Sequence, residues 1–324
     1  MPHLIQITQP EQLAALPSQS IAPDLLTQHQ PDAHWVLVDS DRLLAHCSLW
    51  WQQVPVDPIQ KFGLIGHYGA IDRPAAEELL GYACEQLAAN GCTMAIAPID
   101  GNTWRRYRAV CDRGSEPLFF LEPDNPPEWC SQFSDAGFAA IAHYYSALNS
   151  DLSHRDSRLA GVESRLGDRV QIRSINIDRI DAELGAIYEL SLASFQHNFL
   201  YTPIAQDEFL AQYRAIVPYL KPELVLMAEQ DGHLIGFLFA LPNLLEAKRG
   251  QAMNTVIVKT VAVLPGRAFA GLGSLLVDRC QAIAYQLGFT RAIHALMHES
   301  NRSLNLSRRY AEPIRRYVLW GRSL

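Results

Sequence analysis

An internal duplication is the feature of this sequence that most constrains its fold. Shifting the chain by 197 positions places "NGCTMAI" (90–96) on "LGFTRAI" (287–293), and "WRRY" (104–107) has a nearby counterpart in "SRRY" (307–310). The predicted elements also follow nearly the same order in both halves. Because 324 residues suffice for two ordinary cores, we predict two similar α/β units in tandem. The identical pairs are Gly91 with Gly288, Thr93 with Thr290, Ala95 with Ala292 and Ile96 with Ile293.

The first half alternates strand and helix patterns. "HWVLVDSDRLLAHCSLWW" (34–51) predicts two strands joined by a tight turn. "RPAAEELLGYACEQLAANG" (73–91) predicts a helix capped by Asp72, with Pro74 in its first turn and Gly91 at its end. We also expect a short helix near "TWRRYRAV", a strand at "PLFFLE" and a strand at "GFAAIAHYYSAL".

The polar run from 149 to 168 carries many charges and little apolar periodicity, which is typical of a linker. We therefore predict a first unit over residues 1–150, a linker over 151–168 and a second unit over 169–324. The sequence ends with "RRYVLWGRSL", so we expect the last strand of the second unit to be short and the two units to share or complete one sheet.

The stretch "TVAVLPGRAFAGLGSLLVDRC" (260–280) predicts a strand that turns into a helix through glycines. Without side chains at Gly271 and Gly273, successive backbone N–H groups can approach an anion at the positive end of the helix. The same shift places Pro74 and Ala76 opposite these glycines. There Asp72 is expected to cap the helix, and the next acidic residues repel phosphate. Only the second unit is therefore predicted to bind a phosphate group.

Other phosphate-binding motifs fit this stretch less well. A P-loop requires a lysine before the Ser/Thr, whereas Ser274 follows Gly273 directly. A dinucleotide motif requires G-x-G-x-x-G, whereas this stretch has "GLGSLL". A purely structural role for the glycines, in tight packing of strand on helix, is the alternative.

The second half has a long strand ending V-x-V-x-P, then a G-x-G helix start, a further strand, an Asn and a Tyr. This order of features resembles the GNAT superfamily of acyl-CoA-dependent N-acyltransferases. The resemblance covers about 155 residues of the second half, and the first half resembles a degenerate GNAT unit. It rests on Val261, Ala262, Val263, Pro265, Gly271, Gly273, Asn301 and Tyr310.

The resemblance implies an α/β (α+β) fold in which each unit has a mixed, mostly antiparallel twisted sheet flanked by helices. It also implies that acetyl-CoA is the co-substrate, with its pyrophosphate on the loop amides and its pantetheine arm along the preceding strand. The implied cofactor-binding residues are Val261, Val263, Arg267, Ala268, Ala270, Gly271, Leu272, Gly273, Ser274 and Asn301. The family pattern has Gln or Arg three residues before Gly271, where this chain has Ala268, so a side-chain contact is lost or moves to Arg267.

Transfer to an amine requires a base and an acid. The resemblance makes Tyr310 the candidate acid, since a phenol is protonated at neutral pH; an ordinary core tyrosine is the alternative. The base is open. A family glutamate would fall near Ile257, where the polar neighbours are only Thr255 and Lys259. The further candidates, acting through water, are Glu229, His294, His298 and Glu299.

The leading hypothesis is an acetyl-CoA-dependent N-acetyltransferase acting on a small-molecule or peptide amine, with a non-catalytic acyl-CoA-binding protein as the alternative. Transfer of a longer acyl or an aminoacyl group is a third hypothesis. His294 and His298 are not spaced as in H-E-x-x-H, so we expect no metal. No G-x-S-x-G hydrolase elbow is present.

Composition bears on partners and location. A net charge of −7 disfavours nucleic-acid binding. The absence of an apolar run near the length of a membrane helix, and of a signal-like N-terminus, predicts a cytoplasmic protein without a membrane partner. The six cysteines include no C-x-x-C pair, so we predict reduced thiols. A monomer or homodimer is expected.

Overall fold

A computed structural model describes residues 1–16, 21–300, 307 and 311–324 of the chain. The strands are β1 (His3–Ile7), β2 (Ala33–Asp39), β3 (Arg42–Trp50), β4 (Phe62–Ala70), β5 (Met94–Ala97), β6 (Ala109–Asp112), β7 (Ala139–Asn149), β8 (Gln171–Ser174), β9 (Val225–Gln230), β10 (His233–Pro242), β11 (Thr255–Val263), β12 (Arg291–His298) and β13 (Glu312–Ser323). The α-helices are α1 (Pro23–His29), α2 (Arg73–Ala89), α3 (Trp129–Asp135), α4 (Leu159–Leu166), α5 (Ile180–Phe195), α6 (Gln206–Arg214), α7 (Leu244–Lys248) and α8 (Leu272–Gln286).

All the strands belong to one mixed, mostly antiparallel sheet. Its order is β1-β2-β3-β4-β5-β13-β7-β12-β11-β10-β9-β8, with β6 added to β13. Among the strands described, only two neighbouring pairs are parallel, β4 with β5 and β11 with β12, and each pair is joined by a helix, α2 or α8. The two halves therefore repeat one β-α-β arrangement at corresponding places, and the predicted fold class is confirmed.

The last strand of each half crosses into the sheet of the other half. β7 pairs with β12, and β13 lies between β5 and β7. The sharing of one sheet is confirmed, but the expectation of a short final strand is wrong, because β13 has 12 residues. Its apolar pattern is obscured by arginines, one of which, Arg315, is buried through an ion pair with Glu122 at 2.6 Å. Tyr317 and Leu319 in the same strand are fully buried.

The helices cover both faces of the sheet in the second half. Along β9 and β10, Leu226 and Leu238 pack in the cluster that contains α8, whereas Met227 and Phe237 pack in the cluster that contains α5 and α6. This alternation is the period of two expected when helices bury both faces of a strand. In the first half, α2 and α3 pack in one cluster with β3 and β4.

The structure departs from the predicted elements at three places. The expected linker contains α4, whose Leu159 and Leu166 are buried in the α8 cluster. "TWRRYRAV" forms no helix, because the Asn102 side chain accepts the N–H groups of Trp104 and Arg105 in a turn and β6 follows. "PLFFLE" forms no strand, because its Glu122 turns inward to Arg315.

The prediction of reduced thiols is wrong for one pair of cysteines. Cys111, at the end of β6, and Cys130, in α3, form a disulfide with their Cα atoms 5.8 Å apart. These elements lie side by side, a proximity that a separation of 19 residues does not reveal. The other four cysteines are buried free thiols.

Within the described ranges, no helix is long and apolar enough to span a membrane. No group of three or more His, Cys, Asp or Glu side chains in the same part of the chain is arranged to hold a metal ion.

Candidate active site

One open cavity of about 1810 Å³ runs along the molecule and is lined by both halves of the chain. In the second half its walls include β11, β12 and the glycine loop that precedes α8. In the first half they include the loop of residues 103–108. The end of α5 and the C-terminal part of α6 close a further side. A cavity of this size accommodates two molecules at once. The strand cleft and the glycine loop, which could each bind part of a ligand, belong to the second half.

The neighbouring strands β11 and β12 separate halfway along their length. Their register ends at Val258 opposite His294, and β11 continues to Val263 with β10 as its only described strand partner. A bulge lies where the pairing passes from Thr260 to Val258, which leaves Lys259 as the extra residue. The result is a cleft with one strand edge available for hydrogen bonds to an extended ligand.

The corresponding cleft of the first half is closed. β4 and β5 pair over only three residues, but the chain after β5 folds back onto β4. The N–H of Ile99 donates to the carbonyl of Ile65 at 2.9 Å, and the N–H of His67 donates to the Asp100 carboxylate at 2.6 Å. A Cβ at Gly66 would meet the Ile99 oxygen at 2.2 Å. No ligand arm fits between the strands as far as His67, and beyond it residues 67–71 line the cavity.

The loop between β11 and α8 leaves the start of the helix uncapped. Gly271, the residue before the helix, has φ of +87°, a left-handed conformation that glycine adopts without strain, and no side chain caps the first turn. A Cβ on Gly271 would also meet a methyl of Val162 in α4 at 2.9 Å. Among the described residues, the N–H groups of the first turn therefore have no side-chain acceptor, and together with the helix dipole they favour an anion.

The α4 helix fixes the direction in which this loop presents its N–H groups. The Arg165 guanidinium donates to the carbonyl of Ala268 at 3.0 Å and also to the carbonyl of Ala270. In a trans peptide the carbonyl and the following N–H point in opposite directions. The N–H groups of Phe269 and Gly271 therefore point away from Arg165. Both residues line the cavity.

Most residues predicted to bind the cofactor lie together along this cavity. The ones that line it are Val261, Val263, Ala270, Gly271, Gly273 and Ser274. Arg267 and Ala268 are exposed on the loop outside the lining, and Leu272 is fully buried in the core. Asn301 and Tyr310 lie outside the described residues.

The candidate bases separate into different environments. Ile257 is buried in the core, and the hydroxyl of Thr255 donates to Glu246 at 2.5 Å. Lys259 lines the cavity, with its Nζ 5.0 Å from the centre of the Tyr213 ring. Glu229 is directed elsewhere and pairs with Arg173 at 2.5 Å in a separate pocket.

The two histidines and Glu299 have defined partners. Nε2 of the buried His294 accepts from the Gln281 amide at 2.8 Å, and Nδ1 bonds to a serine hydroxyl at 3.0 Å, so both ring nitrogens are engaged. Burial lowers its pKa to about 4. His298 lines the cavity, and its Nδ1 accepts from the N–H of Ser300 at 3.1 Å. Glu299 accepts from the N–H of His143 at 3.2 Å.

The first half contributes a loop that sequence reasoning did not assign to the site. Trp104 packs against Phe195, Tyr201 and Phe209 of the second half and donates from Nε1 to the carbonyl of Thr202 at 2.8 Å. Arg105 forms an ion pair with Glu208 at 2.6 Å. The sequence signal that could have identified this loop is the match of "WRRY" with "SRRY". The second copy of this motif ends in the candidate acid Tyr310.

Comparisons with known proteins concern the family and the fold. Residues 184–310 match the model of the acetyltransferase (GNAT) family. The chain is 23% identical to Protein YghO of Escherichia coli K12 over 56% of this chain and 48% of that protein. It is 25% identical to a bacterial ceramide synthase of Caulobacter vibrioides over 57% of this chain and 49% of that protein. The chain thus spans about half the length of these relatives.

A solved tandem GNAT protein from the clavulanic acid biosynthesis pathway superposes with a TM-score of 0.50 at 14% identity, covering 100% of this chain and 98% of that one. At this identity the likeness concerns the fold alone. Residues 184–310 therefore match the GNAT acetyltransferase family, and the chain as a whole is similar in fold to a tandem GNAT protein.

Proposed function

We propose that the protein transfers an acetyl group from acetyl-CoA to a primary amine. The domain over residues 169–324 binds the cofactor, and the domain over residues 1–150 lacks a pyrophosphate loop and shapes the acceptor side. Residues 151–168 connect the two domains, and their helix α4 braces the cofactor loop through Arg165.

The observation that carries this proposal is the continuity of the β11–β12 cleft with the uncapped start of α8. A pyrophosphate suits the N–H groups at Gly271 and Gly273, and an extended pantetheine arm suits the free edge of β11 at Val261 and Val263. The thioester would then lie near the bulge at Lys259, beside the loop supplied by the first half.

The reaction we propose is direct transfer. The amine nitrogen attacks the thioester carbonyl, the new C–N bond forms, and the C–S bond breaks with its electron pair on sulfur. Tyr310 gives a proton to the departing thiolate, and the amine proton passes to water in the open cavity. Holding both reactants in one cavity supplies much of the rate by proximity.

Transfer of a longer acyl group is a second candidate, favoured by the cavity and by one relative. The cavity is about 1810 Å³ and extends past the cofactor cleft to apolar side chains such as Phe195, Phe199 and Ile216. One relative, 25% identical over about half of its length, is named a bacterial ceramide synthase. Rates with acyl-CoA donors from two to sixteen carbons distinguish the two candidates, since a site shaped for acetyl groups slows as the chain lengthens.

Release of free CoA thiol from acetyl-CoA tests the proposal, measured with a panel of amines and with mass analysis of the products. We expect thiol and N-acetyl product to form in equal amounts with at least one amine. Binding of acetyl-CoA without thiol release for any amine or donor would instead identify a non-catalytic acyl-CoA-binding protein. If acetyl-CoA neither bound to the protein nor released its thiol, the assignment of the cleft would be contradicted.

A further inference from the structure

Arg108 is a buried cation at the wall of the cavity. It is 7% exposed and has φ of +66°, an uncommon conformation for a residue with a side chain. Its guanidinium carbon lies 3.9 Å from the centre of the Tyr107 ring and 4.3 Å from that of Tyr144. Two aromatic faces stabilise a cation but accept few of its five N–H groups.

The hydrogen bonding of Arg108 is incomplete. Nη1 donates to the carbonyl of Leu296 at 3.2 Å, and buried Nε has no partner among the described residues. Among the described residues, no carboxylate lies within 4.0 Å of the Arg108 guanidinium nitrogens. Buried Arg315, by contrast, makes two bonds to Glu122, at 2.6 and 3.2 Å. A buried arginine without an anion is costly unless a ligand supplies one.

Two acidic groups that share the neighbours His298 and Tyr317 with this arginine are engaged elsewhere. Glu299 accepts from the backbone N–H of His143, and Glu122 is held by Arg315 and by the hydroxyl of Tyr317 at 2.6 Å. Burial lowers the pKa of His298, Glu299 raises it and the Arg108 charge lowers it again. His298 therefore stays neutral at pH 7 and does not add a second cation.

The position of Arg108 relates it to the acceptor and not to the phosphates of the cofactor. Leu296, its carbonyl partner, lies in β12 beyond the point at which β12 leaves β11. The glycine loop instead follows the end of β11. Arg108 belongs to the first-half loop that packs on α5 and α6 through Trp104.

We propose that Arg108 binds an anionic group, a carboxylate or a phosphate, carried by the amine that is acylated. The guanidinium forms a charge-assisted hydrogen bond with that group, and Tyr107 and Tyr144 hold the guanidinium plane in place. The acceptor class is thus an amine with a nearby acid, such as an amino acid or a phosphorylated amine. This inference rests on the proposed acyl transfer for its catalytic test, and its binding test is independent of turnover.

Matched amines that differ only in the anionic group test the proposal. The pairs are L-phenylalanine with phenethylamine, L-lysine with cadaverine, and phosphoethanolamine with ethanolamine, each assayed by CoA thiol release. We expect kcat/KM to be at least about tenfold higher for the anionic member of one or more pairs. Arg108→Met removes that preference, and Arg108→Lys retains part of it. Arg113→Met, which removes an exposed charge near the same loop, leaves it unchanged.

A binding measurement separates failure of this inference from failure of the proposed function. Quenching of tryptophan and tyrosine fluorescence is titrated with N-acetyl-L-phenylalanine and with N-acetylphenethylamine, neither of which reacts. Tighter binding of the carboxylate by at least about tenfold in wild type, lost in Arg108→Met, supports the site even if no amine is acylated. Equal binding of both compounds by wild type, or a preference that survives Arg108→Met, would overturn the proposal. The wild-type comparison decides the matter if the variant does not fold.

Discussion

Two strand-to-helix junctions, each following the first strand of a parallel pair, occupy corresponding places in the two halves and differ in their chemistry. Between β4 and α2 the connection is two residues long, and the Asp72 carboxylate caps the helix by accepting from the N–H of Ala75 at 2.9 Å. Between β11 and α8 the connection spans residues 264–271, and no side chain caps the helix. A filled helix start only stabilises the fold, whereas an open one can bind an anion.

The same contrast extends to the clefts beside these junctions. In the first half Asp100 and Ile99 fill the space between the parallel strands, and in the second half β12 diverges from β11 and leaves it open. In the account we propose, duplication followed by closure of one copy gives a tandem protein with a single cofactor site. The first half then has a structural role, and it contributes the loop that carries Arg108 to the wall of the cavity.

The largest effect is expected from removing the strand that crosses between the halves. A chain ending at residue 311 lacks β13, which pairs with β5, β6 and β7 and buries Tyr317 and Leu319 completely. Because its partners belong to the first half, we expect that half to lose its folded structure as well. Far-UV circular dichroism and hydrogen exchange report this.

Retention of exchange protection in β2, β3 and β4 of the shortened chain would show that the first half folds without β13. The two halves would then be independent domains, and the comparison would concern two separate proteins joined by a linker.

A smaller effect is expected on acidification, and it should concentrate in the first half. Burial lowers the pKa of His34 to about 3 and those of His29, His46 and His67 to about 4, whereas in the second half only His294 reaches about 4. These rings are neutral when folded, and the unfolded chain takes up protons below about 6.5. The stabilisation is therefore complete above pH 6.5 and is lost as the pH falls from 6.5 towards 4.

We expect the free energy of unfolding to fall between pH 7 and pH 5 by up to about 2 kcal/mol for each of these buried histidines, and so by several kcal/mol in all. Hydrogen exchange corrected for intrinsic rates should show the earlier loss of protection in β2, β3 and β4. A greater or equal loss in β9, β10 and β11 would contradict the assignment of acid sensitivity to the histidines of the first half.

Local sequence signals predicted the elements that depend on neighbouring residues. The helix cap at Asp72 and the hairpin from β2 to β3 follow from short-range chemistry and were predicted correctly. The contrast between Asp72 and Gly271 also followed from the aligned halves, because capping is decided within one helical turn. The cofactor role of the glycine loop remains a prediction.

Features that depend on distant residues were not predictable in this way. The length of β13 was missed because Arg315 is buried only by meeting Glu122, 193 residues away. The disulfide between Cys111 and Cys130 and the burial of Arg108 against Tyr144 depend on the packing of elements whose contacts no local pattern encodes. The linker helix α4 was missed although Leu159, Val162 and Leu166 stand at helical spacing, because the charged residues around them dominate the composition of the stretch.

Binding of acetyl-CoA to Gly273→Glu tests the central claim most directly. A Cβ at this position has room, at 3.6 Å from Val261 and 3.7 Å from Val263, unlike one at Gly271. A glutamate in the first turn favours the helix and repels a pyrophosphate. Gly81→Glu is the matched control, since Gly81 lies in the first-half helix α2 with open space around it.

The measurement is the melting temperature with and without saturating acetyl-CoA. The account predicts a rise of about 3–8 °C for wild type and Gly81→Glu, and no rise for a folded Gly273→Glu. An undiminished rise in Gly273→Glu, or none in wild type, would contradict the claim that the open helix start of the second half is the cofactor site.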